Sequence, residues 1–318
     1  MSDIPLAIGI DFGGTTVKTG VLYRSNVIEA AEPIDTQEFS EAGPLIQKIA
    51  EVVADLRSRH PNIAAIGVGM PGFVDFKTGL VHALTNVKGW TRIPLKNRLE
   101  ELTELPVTVE NDANCMAYAE WKRGSGRGLK HMVALTLGTG VGGGLIVNGE
   151  MVRGADSVAG EIGQTSIHFE GRRGAWGNLG ALEDYIGNRE IAARAIEAYA
   201  EAGTPKKEEE CTPEKLAKAA VYHDEIALKI WDAVAKKLAT AIMNCCWLLN
   251  PQAIIIGGGV AKAGSTLFAP LDQHLRAQLS DPFKENLRIL PARFGNEAGI
   301  IGAATLALEQ AGHNVDDQ

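Results

Sequence analysis

Three glycine clusters constrain this chain more than any other feature. Gly13–Gly14 follows the apolar run Leu6–Ile10, Gly138–Gly144 follows His131–Leu137, and Gly257–Gly259 follows Ala253–Ile256. Glycine supplies 36 of 318 residues, about 11%, against about 7% in average proteins. Its clustering points to local backbone demands, because glycine admits positive φ and close approach. The first two clusters are each followed by a returning strand, Val17–Tyr23 and Leu145–Val147, and Asn148-Gly149 adds a hairpin signal. Both halves of the chain therefore open with strand, glycine turn, strand. That is a repeat of form without a repeat of sequence.

The rest reads as mixed α/β. Leu45, Ile49, Val52, Val53 and Leu56 share one helical face, with Pro44 near its start. Ile66–Met70 is a strand entering Pro71-Gly72, and Leu95, Leu99 and Leu102 mark a further helix. Val107 and Val109 alternate along a strand that ends at Glu110-Asn111-Asp112, and a helix follows to Trp121, closed by Gly124. Helices then dominate: Asn188 is expected to cap one and Thr212-Pro213 to start another. A long one spans Asp224 to Leu249, and a terminal one covers Glu297–Leu308. Lys206–Glu210 reads as a solvated loop.

Apolar residues make up 45% of the chain, enough for ordinary cores. The net charge of −8 argues against a nucleic-acid or acidic-membrane partner, either of which would want a basic face. No signal peptide or membrane span is expected. Four cysteines without metal spacing suit a reduced cytoplasm.

Asp11-Phe12-Gly13-Gly14-Thr15-Thr16-Val17-Lys18 places an acid at a strand end, then two glycines and two hydroxyls. Backbone N–H groups and the Thr15 and Thr16 hydroxyls suit phosphate oxygens, and Asp11 suits Mg²⁺, directly or through water. A plain hairpin with a polar tip is the alternative. Leu137–Gly144 contains G-x-G-x-x-G, but a dinucleotide fingerprint needs a helix next, and a strand follows here. No Walker sequence is present. Gly257-Gly258-Gly259 could let a purine and ribose lie against the backbone, or simply make a tight strand-to-helix connection. In this order and at these separations the three clusters resemble the two phosphate motifs and the adenosine motif of the sugar kinase and actin superfamily. The resemblance implies an α/β, two-lobed, actin/hexokinase-like (ribonuclease H-like) fold with nucleotide and sugar between the lobes. Asp11, Gly13, Gly14, Thr15, Thr16, Lys18, Thr136, Gly138, Thr139, Gly140, Gly257, Gly258 and Gly259 would then serve ATP and its Mg²⁺.

A carboxylate at a strand end suits the base that takes the proton of an attacking hydroxyl, and Asp112 stands there. The competing reading makes Asp112 the N-cap of the following helix. Downstream, Gly160-Glu161-Ile162-Gly163-Gln164 and Gly177–Glu183 mix polar residues with glycines, as a polyhydroxylated ligand or a surface loop would want. Together with Gly69-Met70-Pro71-Gly72, these segments are similar to the ROK family of bacterial sugar kinases and sugar repressors. The similarity implies that Asp112 is the base and that Asn111, Glu161 and Glu183 bind sugar hydroxyls, with Gly72, Asn86 and Gln164 beside them. It further implies a lobe of residues 1–120 plus 299–318, a second lobe of 121–298, and a homodimer. Many members of the family hold a structural zinc with one histidine and three cysteines. Gln164, Gly174, Trp176 and Ala181 stand in those places here, so no zinc is expected, and Trp176 is expected to fill the space.

The resulting expectation is an ATP- and Mg²⁺-dependent hexose kinase making glucose 6-phosphate. Another sugar (an N-acetylhexosamine, fructose or allose), a polyphosphate donor, or a non-catalytic sugar sensor are the alternatives. A repressor of this family would need a DNA-binding segment ahead of the first strand, and the chain already reaches that strand at Leu6.

Overall fold

The computed structural model of the chain describes residues 5–84, 87 and 89–315. They form two compact units. The first comprises Met1–Gly128, Met151–Ala159 and Arg293–Gln318; the second comprises Leu129–Glu150 and Gly160–Ala292. Borders expected at 120 and 299 thus lie at 128 and 293, and a short internal segment joins the first unit. The physical reason is visible at Glu120, a wholly buried carboxylate. It accepts backbone N–H bonds from Ser125 at 2.9 Å, Arg293 at 2.7 Å and Phe294 at 3.0 Å, which ties 120–125 to 293–294.

Unit 1 is built on β1 (Leu6–Phe12), β2 (Thr16–Tyr23), β3 (Asn26–Ala30), β4 (Ile34–Asp35), α1 (Ala42–Arg59) and β5 (Ile63–Met70). A small antiparallel sheet follows, of β6 (Val74–Asp75), β7 (Leu80–Ala83) and β8 (Thr91–Pro94); α2 (Leu95–Thr103), β9 (Val107–Asn111) and α3 (Asp112–Arg123) come next. The main sheet runs β3-β2-β1-β5-β9 with β4 on β2. β1 and β2 are antiparallel, while β1, β5 and β9 are parallel. Side chains alternate across a strand, so Ile8, Ile10 and Phe12 share one face with Leu45, Ile49, Val53 and Leu56 of α1. Gly9 lies on the other face. There the C-terminal helix Ala298–Gln310, apolar nearly all round, packs backbone against backbone. A Cβ on Gly9 or Gly67 would overlap the carbonyls of Ile300 or Ala303, and one on Gly302 would overlap that of Cys115 in α3.

Unit 2 holds β10 (Met132–Leu137), β11 (Val141–Val147), β12 (Glu150–Met151), α4 (Glu183–Ile186), α5 (Asn188–Glu201), α6 (Pro213–Val221), α7 (Glu225–Leu249), β13 (Ala253–Gly257), α8 (Ser265–Ala277), α9 (Asp281–Asn286) and β14 (Arg288–Pro291). Its sheet order is β12-β11-β10-β13-β14. Asp224 caps the 25-residue α7 through bonds from Ile226 and Ala227 N–H. Two local expectations fail. Asn188 is the first residue of α5 rather than its cap, a place taken by Gly187. Gly142–Gly144 lie in β11 opposite Thr136, Leu135 and Ala134, so the turn is only Gly138–Gly140. Glycine is required in that strand because a Cβ on Gly143 would overlap the Gly160 carbonyl.

Candidate active site

The expected functional residues lie on separate segments of both units. In unit 1, the β1–β2 turn is closed by a 2.8 Å bond from Gly13 N–H to the Thr16 carbonyl. Buried Thr36 clamps the tip: its N–H donates to the Thr15 carbonyl at 2.9 Å and its hydroxyl to the Gly14 carbonyl at 3.2 Å. Gly13, Gly14 and Thr16 are half-buried and Thr15 is exposed, so the tip meets solvent while its base is anchored. Asp11 and Lys18 face each other across the hairpin. Burial pushes the Asp11 carboxyl above the ordinary carboxylate range, and Lys18 pulls it partly back. A carboxyl whose ionised form is disfavoured by burial is suited to meeting a cation.

Beside it, β9 delivers the second segment. Asn111, not Asp112, is the N-cap of α3, accepting from Ala113 N–H at 2.9 Å and Asn114 N–H at 3.1 Å. Asp112 is the first helical residue rather than the cap; its Oδ1 shares the Ala113 N–H at 2.8 Å, and a negative charge there also suits the helix dipole. Asn111 Nδ2 donates to the Gly72 carbonyl at 3.1 Å, which brings Gly72, in a positive-φ turn, to the same place. The Oδ1 of Asn111 is engaged by the cap, so its amide N–H is the group it offers outward. Asn86 lies outside the described residues.

The sequence assigns no role to three neighbours, Glu110, Arg153 and Cys115. Glu110 is buried, and its Oε1 accepts from Asn111 N–H at 2.8 Å and Asn114 Nδ2 at 3.1 Å. Its Oε2 receives Arg153 Nε at 2.7 Å. An acid closing the apolar strand Val107–Val109 signals that some cation must meet it, but no spacing singles out Arg153. Beneath them Cys115 is fully buried. Burial lifts its thiol well above the usual range, helped by the charges of Glu110, Asp112 and Asp11 and opposed by Arg153.

In unit 2, the tip Gly138–Gly140 rests on α5, since Asn188 N–H donates to the Gly138 carbonyl at 2.9 Å. Thr136 pairs with Gly142 on one side and Gly257 on the other, which joins the second and third glycine clusters. Gly258, at φ 86°, packs on the backbone of Leu137. Gly138 and Gly259 have no atom within 4 Å of where a Cβ would stand, so backbone is open to an approaching ligand at both. Glu183 links the sugar-side candidates to this turn. It accepts from Val141 N–H at 2.8 Å through Oε2 and from Gln164 Nε2 at 3.2 Å through Oε1. Burial, and then the charge of Glu183, raise the Glu161 carboxyl above its ordinary range.

Trp176 does not fill the place expected of it; it is 64% exposed. The loop from Gln164 to Leu182 is instead laced by its own backbone. Ile167 N–H bonds the Gly180 carbonyl at 2.9 Å, Gly180 N–H that of Arg172 at 2.8 Å, and Gly174 N–H that of Asn178 at 2.9 Å. Asn178 Nδ2 adds a 2.6 Å bond to the Gln164 carbonyl. Among the described residues no group of three or more His, Cys, Asp or Glu could hold a metal ion.

Two α/β units with a hairpin of this kind in each define the actin/hexokinase-like class of fold. Within it the chain belongs to the ROK family, whose model matches residues 7–310. It is 37% identical over 314 residues to the glucokinase of Halalkalibacterium halodurans, with 95% of each chain covered. Identity to the glucokinase of Thermotoga maritima is 33% over 314 residues, covering 96% and 98%. Among solved structures it resembles a ROK family glucokinase from Streptomyces griseus in complex with glucose and AMPPNP. That match has a TM-score of 0.81 and 29% identity, and covers 96% of this chain and 99% of the other.

Proposed function

We propose that this chain is an ATP-dependent hexose kinase, transferring the γ-phosphoryl group of ATP to the 6-hydroxyl of glucose. The observation that carries the reading is Asp112. It stands at the end of a parallel strand, with the capping task taken by Asn111 and a buried acid fixing the turn behind it. Full-length similarity to glucokinases supports the choice of sugar.

The residues present fit the nucleotide and its metal. Both hairpin tips are anchored from behind, Gly138 and Gly259 leave open space, and Asp11 is a half-buried acid with little local compensation. Asp11, with Thr15 and Thr16, would hold the metal and phosphates on unit 1; Gly138–Gly140 and Gly257–Gly259 would hold phosphate and adenosine on unit 2. Mg²⁺ bound with the nucleotide supplies neutralisation of charge on the phosphoryl oxygens. The chain's own part is to orient and to move one proton. Asp112 accepts the proton of the sugar hydroxyl as that oxygen attacks phosphorus and the bond to the ADP oxygen breaks. Asn111, Glu161, Gln164 and Glu183 hydrogen-bond the remaining hydroxyls, three of the four offering side-chain acceptors to hydroxyl donors. The working form is a cytoplasmic homodimer in this reading; the four described cysteines, all free and buried, suit a reducing compartment.

The test is Asp112→Asn in a coupled ADP-release assay over a panel of hexoses. Turnover on glucose should fall by at least about 10²-fold while nucleotide binding persists. Near-normal turnover in the variant would remove Asp112 as the base. A panel in which another hexose outruns glucose would reassign the substrate and leave the chemistry in place.

A further inference from the structure

Arg153 lies in a short segment that the phosphate and sugar motifs do not include. Met151–Ala159 packs as part of unit 1, and the chain passes from it directly into Gly160 and Glu161. The segment is a made structure rather than a slack connection. Gly154 takes φ 75°, Ala159 N–H closes the loop onto the Arg153 carbonyl at 2.9 Å, and Ser157 Oγ accepts from Phe76 N–H at 3.3 Å. At its head the Arg153 guanidinium lies 3.7 Å from the centre of the Phe76 ring and donates through Nε to Glu110 at 2.7 Å. Stacking plus a directed ion pair is a use for arginine that lysine does not reproduce.

Glu110 is only 2% exposed at its side chain and Arg153 is 21% exposed. A carboxylate that deep holds its charge only if a cation and hydrogen bonds satisfy it. The bonds it receives come from the two groups that set the turn carrying Asp112: the backbone N–H of Asn111 and the side-chain amide of Asn114. Whatever moves Glu110 therefore moves the start of α3. Arg153 is the cation that keeps it in place.

We propose that Arg153 is a positioning residue for phosphoryl transfer: paired with buried Glu110, it holds the Asn111–Asp112 turn in the orientation the base requires. This rests on the reading of Asp112 as base. Arg153 touches neither the hydroxyl nor the nucleotide in this scheme; it acts through Glu110.

A positioning role and a merely structural one differ in what they leave untouched. Arg153→Met keeps the length and apolar stem but removes the charge, which strands the buried Glu110. With glucose and MgATP, at a temperature well below the melting transition, kcat should fall by roughly tenfold to a hundredfold. KM for ATP should stay within about twofold, because the phosphate hairpins lie elsewhere. The double variant Arg153→Met with Glu110→Gln removes the stranded charge and keeps a side-chain oxygen for Asn111 N–H. It should recover a substantial part of the lost kcat. If Arg153→Met does not fold, Glu110→Gln alone carries the test, since it cuts the same pair while preserving shape, and kcat should fall with KM for ATP unchanged. Unchanged kcat in either single variant would overturn the proposal, as would a fall that tracks the folded fraction, or a rise in both KM values at constant kcat. Asp112→Asn run alongside separates the two ideas: an active Asp112→Asn defeats the base, whereas an inactive one beside normal Arg153 and Glu110 variants defeats only the positioning role.

Discussion

Asp11 and Glu161 are carboxyls whose ionised forms the fold disfavours, both chiefly through burial. A raised folded-state value means the group's favourable contribution is present at low pH and is lost as pH rises through that value. Near neutrality both groups therefore stand ionised at a disadvantage. Asp11→Asn and Glu161→Gln should each raise the melting temperature of the ligand-free protein at neutral pH, with the gain shrinking as pH drops through the carboxylate range. The same variants should weaken binding, of Mg-nucleotide for Asp11 and of sugar for Glu161. Calorimetric melts at several pH values check this, and a gain that grows toward acid pH would reverse the assignment. Such a balance, in which a site is kept at the expense of stability, is common in enzymes. At this scale the strand-end positions of Asp11 and Asp112 are legible, because each acid closes an apolar strand. The cap at Asn111 was misplaced by one residue, since asparagine and aspartate cap equally well and stand side by side. Arg153 was not legible as the partner of Glu110, because a pairing across 43 positions leaves no local pattern.

In the loop from Gln164 to Leu182 the structure departs from what the family resemblance implies. Loss of four metal ligands suggested that a bulky side chain must plug the gap. What replaces them is main-chain hydrogen bonding, with Gly174 packed so closely that a Cβ there would meet the Asp184 carboxylate and Asn178. Exposed Trp176 buries too little to matter for folding. Trp176→Ala should change stability by no more than about 0.5 kcal/mol, read from denaturant midpoints, and a zinc-selective chelator should leave activity intact when Mg²⁺ is in excess. A drop of several kcal/mol, or inactivation by the chelator, would restore the plug or the metal. Regular elements fared better. The twin hairpins, the Asp224-capped helix and the Thr212-Pro213 start follow rules local to a few residues. Gly142–Gly144 read as turn because glycine is poor in strands. The approach of the distant Gly160 carbonyl explains why Gly143, a strand residue, must be glycine.

Across the molecule, unit 1 is assembled from three separated stretches of chain, and the tightest joint between them is free of side chains. Gly9, Gly67 and Gly302 let the C-terminal helix lie directly on the sheet and on α3. Gly302→Ala should lower the stability of the protein by about 1–3 kcal/mol, seen as an earlier unfolding midpoint, even though alanine is the better helix former. A neutral or stabilising result would mean that the helix can shift without loss.

That joint has a consequence for how the protein is made. Chains emerge from the ribosome in order and domains tend to fold as they emerge, at about 5–20 residues per second. All of unit 2 is encoded before the C-terminal helix that covers unit 1. The half that begins first is thus completed second. Until Ala298–Gln310 arrives, the strip around Gly9 and Gly67 stays uncovered, and the nascent chain waits with one finished unit and one open sheet.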